Sequence, residues 1–147
     1  MGSLTDVITD PGRRRAVIDD CVRLLDAEVA EKRGVSGLAV KAAFKAVKGV
    51  RPGMIPMSID ALIDEFSQYI DPFWAQCQEA GAVPREFFSR NKDSIANALL
   101  QVTDQRAQHS QQRVLKKAYS KLRGQAISHI GAAMPRLADL VAKHASD

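Results

Sequence analysis

Ser58-Ile59-Asp60-Ala61-Leu62-Ile63-Asp64-Glu65-Phe66-Ser67-Gln68-Tyr69-Ile70-Asp71-Pro72 is the stretch that decides the fold. Ile59, Leu62, Ile63, Phe66, Tyr69 and Ile70 recur at steps of three and four, the spacing that stacks side chains on one face of a helix. Ser58 can cap this helix, and Asp60 places negative charge in a first turn, where the helix dipole favours it. Asp71-Pro72 then reads as a cap followed by proline at a first helical position. A new helix is therefore expected there, carrying Phe73, Trp74 and Cys77 to a stop at Gly81.

The same period continues outward in both directions. Leu4–Thr9 can form a short helical turn. Asp10-Pro11 repeats the cap-and-proline device, and the helix after it buries Ile18, Cys21, Val22, Leu25 and Val29 before Gly34 stops it. Ser36 can cap a helix reaching about Gly49, with Val40, Phe44 and Val47 as its apolar line. Pro84 opens a short turn with Phe87 and Phe88. Residues 91–109 read as a longer helix burying Ile95, Leu99 and Val102. The last third divides at Gly124, and Pro135 should kink or break its final periodic stretch.

No segment alternates with the period of a strand, and no Asn-Gly or Asp-Gly turn joins β-branched runs. The expectation is an all-α, single-domain bundle of about six or seven unequal helices over residues 1–147. The first ten residues are expected to be loosely attached, with Met1-Gly2-Ser3 left over from cloning. A chain of 147 residues can bury a core of its own. With aromatic residues at only 5%, that core must rest on Ala, Val, Leu and Ile.

Charge is arranged in blocks. Residues 32–59 hold six bases and no acid; residues 60–84 hold five acids and no base; residues 105–138 hold seven bases and no acid. Lys41, Lys45 and Lys48 repeat at helical steps and, with Arg51, form one basic ridge. Arg113, Lys117 and Lys121 form a second at i, i+4 and i+8. Asp60, Asp64 and Glu65 make an acidic patch. If the two ridges are neighbours, they form an anion-attracting surface; the alternative is that opposite charges meet within the molecule.

Several chemistries lack their residues. His109, His129 and His144 share no i, i+4 spacing, and no Cys/His cluster exists, so no metal site within one helix is expected. The glycines form neither a phosphate loop nor a dinucleotide fingerprint, and there is no Gly-x-Ser-x-Gly elbow. Asp60 with Asp64 could do acid–base work, but helices place acids near their starts without a catalytic reason. No catalytic residue and no cofactor is assigned. Cys21 and Cys77 fit no redox or metal spacing and read as small buried hydrophobes. No secretory pattern opens the chain and no apolar run nears the ~20 residues of a membrane span, so no membrane role and a cytoplasmic location are expected. Nucleic acid is disfavoured because the ridges lack a stacking platform and no base-reading helix is evident.

Gly34-Val35-Ser36-Gly37-Leu38-Ala39-Val40-Lys41, Val47-Lys48-Gly49-Val50-Arg51-Pro52-Gly53 and Pro135-Arg136-Leu137-Ala138 together resemble a family of small uncharacterised bacterial proteins, a domain of unknown function. The resemblance covers nearly the whole chain. It implies a bacterial, cytoplasmic helical domain and carries over no functional residue.

The reading that follows is a non-enzymatic protein-interaction module with charge-polarised faces, binding a partner protein or itself as a two-fold homodimer. One alternative is a helical binder of a small amphipathic anion, with Phe73, Trp74, Phe87 and Phe88 as an apolar groove. Another is weak, sequence-independent nucleic-acid binding on the basic ridges.

Overall fold

The computed structural model describes residues 4–145. These residues form α1 (Leu4–Thr9), α2 (Pro11–Glu31), α3 (Gly34–Lys48), α4 (Met54–Glu79), α5 (Pro84–Arg90), α6 (Lys92–His109), α7 (Arg113–Arg123), α8 (Ala126–Ala132) and α9 (Met134–Ala145). The described residues are all-α without strands, as expected, but they make nine helices instead of six or seven. The segments read as short turns, α1 and α5, are helices in their own right, and the final stretch is cut twice. Gly124 ends α7, and Pro135 stands just inside the start of α9, where its missing amide proton is not needed.

One expected break is missing. α4 runs through Pro72 without interruption, from a left-handed Gly53 at φ 77° to Glu79. The reason lies in its buried stripe. Ile63, Ser67, Ile70, Trp74 and Cys77 are all buried, at successive steps of four and three, so one continuous seam passes the proline. Pro72 lies on the opposite, exposed face. There the carbonyl that loses its helical donor can be hydrated. Packing of the seam outweighs the local break signal.

The expected caps also fall elsewhere. Asp10 does cap α2, accepting the Gly12 amide at 3.0 Å. Ser36 and Ser58 lie inside α3 and α4 instead of opening them. Asp71 caps a different helix altogether: its carboxylate accepts the Leu4 amide at 2.7 Å, the Thr5 amide at 3.2 Å and the Thr5 hydroxyl at 2.6 Å.

The core has two clusters. One gathers Leu4, Ile70, Trp74, Phe88, Ile95, Leu99, Met134, Ala138 and Val141. The other gathers Val7, Ile8, Val17, Ile18 and Ile63. Helix α1 contributes to both, which corrects the expectation of a loosely attached start for residues 4–9; Met1-Gly2-Ser3 lies outside the described residues. Three apolar side chains in six residues, held at one end by Asp71, explain why so short a helix is kept in place. α4 is the spine, packing against α1, α2 and α6, while α3 packs chiefly on α7 and α5 on α9.

Candidate functional site

The acidic patch is stitched into the fold. Arg14 of α2 reaches α4, with Nε 2.8 Å from Asp60 Oδ1 and Nη1 2.8 Å from Asp64 Oδ1. Its Nη2 donates to the Asp60 carbonyl at 2.9 Å. The two carboxylates, Asp64 first, hold the Arg14 proton more tightly than usual. Glu65 is taken by Arg106 of α6 at 2.6 Å, and the same guanidinium caps the Ala61 carbonyl at 2.9 Å. Neither arginine stood out in the sequence, because 46 and 41 residues separate them from Asp60 and Glu65.

Other acids are committed in the same way. Glu28, buried on α2, meets Lys32 at 3.2 Å and Arg136 at 2.5 Å, and Arg136 also holds Glu31. Asp104 receives Arg123 at 2.8 Å and the Tyr119 hydroxyl; hydrogen bonds from Arg123 and then Tyr119 hold its carboxyl below the usual range. Asp20 gathers Arg23, Lys143 and His144 at 2.6, 2.8 and 2.7 Å. His129 accepts or donates to Ser36 through Nε2 at 2.6 Å, tying α8 to the start of α3.

The basic ridges are different. Lys41, Lys45, Arg51, Arg113, Lys117 and Lys121 are exposed, and among the described residues no side-chain hydrogen bond or ion pair engages them. Lys48 is the exception: it lies 3.7 Å from Asp26 and 4.6 Å over the Phe44 ring. The helices that carry the ridges, α3 and α7, contain no acid and pack against each other.

Their sides can be placed from the helical advance of about 100° per residue. On α3, Gly37 meets α2: a Cβ built there would stand 2.6 Å from the Lys32 carbonyl carbon. Lys48 reaches α2 on the same side, and Lys41 and Lys45 continue it outward. The other edge of the buried arc carries Ser36, bonded to α8, and the buried Ala43, so α7 and α8 cover that side. The remaining, outward face of α3 holds Val35 and Leu38, 86% and 68% exposed, with exposed Ala39, Ala42 and Ala46. On α7, Tyr119 and Arg123 turn toward α6. Val114, 43% exposed, lies at the opposite border, with Lys121, Lys117 and Arg113 beyond it. The ridges therefore flank an exposed apolar strip instead of merging into one.

The aromatic groove is corrected. Trp74 and Phe88 are buried core members, and Phe73 and Phe87 pack half-buried against the same cluster. These rings fill the interior. Among the described residues no cluster of His, Cys, Asp and Glu could hold a metal ion, and no helix is long and apolar enough to cross a membrane. Both cysteines are free; Cys77 is buried, and burial pushes the Cys21 thiol up to about 11.

Comparison with known proteins places these features in a family. A family model described as "Family of unknown function (DUF6918)" matches residues 4–145, and the chain belongs to that family. No curated protein and no solved structure matches it.

Proposed function

We propose that this member of a family of unknown function is a non-enzymatic, cytoplasmic module that binds an acidic protein partner through the α3–α7 face. One observation carries the reading: among the described residues Lys41, Lys45, Arg113, Lys117 and Lys121 stand exposed and unpaired on two packed helices that hold no acid, and Arg51 does so in the turn after α3. The arginines that stabilise the fold are each engaged by carboxylates, as Arg14, Arg106, Arg123 and Arg136 are. Rows of like charge left without such partners repel one another, and an acidic partner relieves that cost.

Self-pairing is the weaker version. It asks Asp60, Asp64 and Glu65 of one copy to meet the lysines of another, yet Arg14 and Arg106 already occupy these acids. Nucleic acid is also less favoured, since the Tyr119 hydroxyl is tied to Asp104 and Thr103 and Phe44 lies under Lys48. Both rings are partly buried, so no row of exposed aromatic faces runs along the ridges.

The test is fluorescence anisotropy of labelled poly-glutamate with the full chain at low and physiological salt. Binding that weakens as salt rises, and that is lost in the Lys45→Glu/Lys117→Glu double variant, is the expected result. Salt-independent binding, or binding of a single-stranded oligonucleotide with poly-glutamate ignored, would overturn the proposal.

A further inference from the structure

We infer that the apolar strip between the two basic ridges is a docking trough for a single amphipathic, acidic helix of a partner protein. The inference rests on the charge-binding reading above and adds the shape and polarity of what binds. α3 is apolar on two sides. Val40, Phe44 and Val47 turn inward, partly buried, yet Val35 and Leu38 are 86% and 68% exposed. A surface helix of an isolated bundle needs only the first set. The second set follows helical steps through Ala39, Ala42 and Ala46, so it forms a line along the helix axis, not scattered exposure.

Side-chain size selects the occupant. Ala39, Ala42 and Ala46 run along the strip and let another helix axis approach closely, while the larger Val35 and Leu38 stand at its N-terminal end and Val114 on its α7 side. That relief suits a helix laid lengthwise in a groove. A membrane-inserting face relies instead on large aromatic and aliphatic side chains, and the strip has no aromatic. Charge sets the rest. Lys41 and Lys45 border one side of the strip, and Lys117 and Lys121 border the other. A helix with an apolar row and acids on both flanks matches both borders. The acidic face of α4 does not supply such a helix to a second copy, because its Asp60, Asp64 and Glu65 are already held by Arg14 of α2 and Arg106 of α6.

The experiment is selection of a displayed library of helical peptides on the full chain, with the selected peptides then titrated against Leu38→Glu and against Val83→Glu. Val83 is 55% exposed in the connection between α4 and α5 and serves as the control. The expected result is enrichment of peptides with apolar residues at i, i+3/i+4 and i+7 flanked by Asp and Glu. Leu38→Glu, whose side chain is already in solvent and whose fold is checked by circular dichroism, should weaken them at least about tenfold, and Val83→Glu should not. Acidic peptides with no apolar period would overturn the trough and leave the charge-binding reading standing. Peptides without acids would overturn both. Tighter binding to phosphatidylglycerol vesicles than to the selected peptides, lost in Leu38→Glu, would overturn it by assigning the strip to lipid. A change of oligomeric state in Leu38→Glu would overturn it by making the strip an interface between copies.

Discussion

Asp71 of α4 accepts the Leu4 amide at 2.7 Å, and so caps a helix that begins 67 residues earlier in the chain. Its second oxygen takes the Thr5 amide and hydroxyl. The first amides of a helix lack internal partners, and in α1 one carboxylate supplies them for Leu4 and Thr5. That contact holds Leu4 against Trp74 and Phe88 in one cluster and Val7 and Ile8 against Val17 in the other.

Asp71→Ala should therefore cost about 2 kcal/mol of stability, a cap and its companion hydrogen bonds together. Urea unfolding measures the loss. Hydrogen exchange should localise it, with the amides of residues 4–9 losing protection ahead of those of α6. Uniform loss of protection would mean that Asp71 acts on the whole bundle.

Pro72→Ala should act in the opposite direction. The residue lies on the exposed face of an unbroken helix, opposite the buried stripe. Alanine restores a backbone donor and removes a residue that is about 3 kcal/mol unfavourable in a helix interior. Greater freedom in the unfolded chain returns part of that gain, so a net rise of roughly 1–2 kcal/mol in urea unfolding is expected. A loss of stability would show that the proline sets a bend the packing needs.

These two neighbours also show what the sequence could and could not convey. The helical class and most helix ends were legible from periodicity and from Asp10, Gly81, Gly124 and Pro135. Asp71-Pro72 misled because its local meaning, a cap and a start, competes with a buried stripe that runs from Ile63 to Cys77 and with a distant helix end that needs an acceptor. The basic ridges were legible as spacing. Their relation was not, since it depends on α3 meeting α7 across more than sixty residues. Arg14 and Arg106 carried no local signal. The outward strip did leave one: Val35 and Leu38 fall off the line of Val40, Phe44 and Val47, so α3 carries more apolar positions than one buried face uses.

Gly37→Ala should be among the more damaging single-methyl changes. The added carbon would stand 2.6 Å from the Lys32 carbonyl carbon and 3.1 Å from its oxygen. These are backbone atoms at the end of α2, which cannot swing aside as a side chain would. α3 must lift away, at a cost of about 1–3 kcal/mol. Because Ser36 moves with it, the bond to His129 should weaken as well. The midpoint of urea unfolding and the His129 ring signals in an NMR spectrum report the two effects, and an unchanged midpoint would show that the α2–α3 crossing gives way freely.

Stability should also fall in two separate steps as pH is lowered. Burial, and then the nearby Lys32 charge, hold the His129 imidazole below its ordinary value of 6.5. The unfolded chain then binds this proton before the folded one does, so stability declines as pH drops below 6.5 toward the native value. His129→Gln should flatten that first step. Asp20 titrates in the other window. Hydrogen bonds from Lys143 and then His144 hold its carboxyl below the ordinary 3.8, so its contribution persists at pH above 3.8 and disappears as pH falls through the lower native value. Asp20→Asn should remove part of the second step while leaving the first. Urea midpoints measured across both windows separate them, and a first step that survives His129→Gln would assign it to another group.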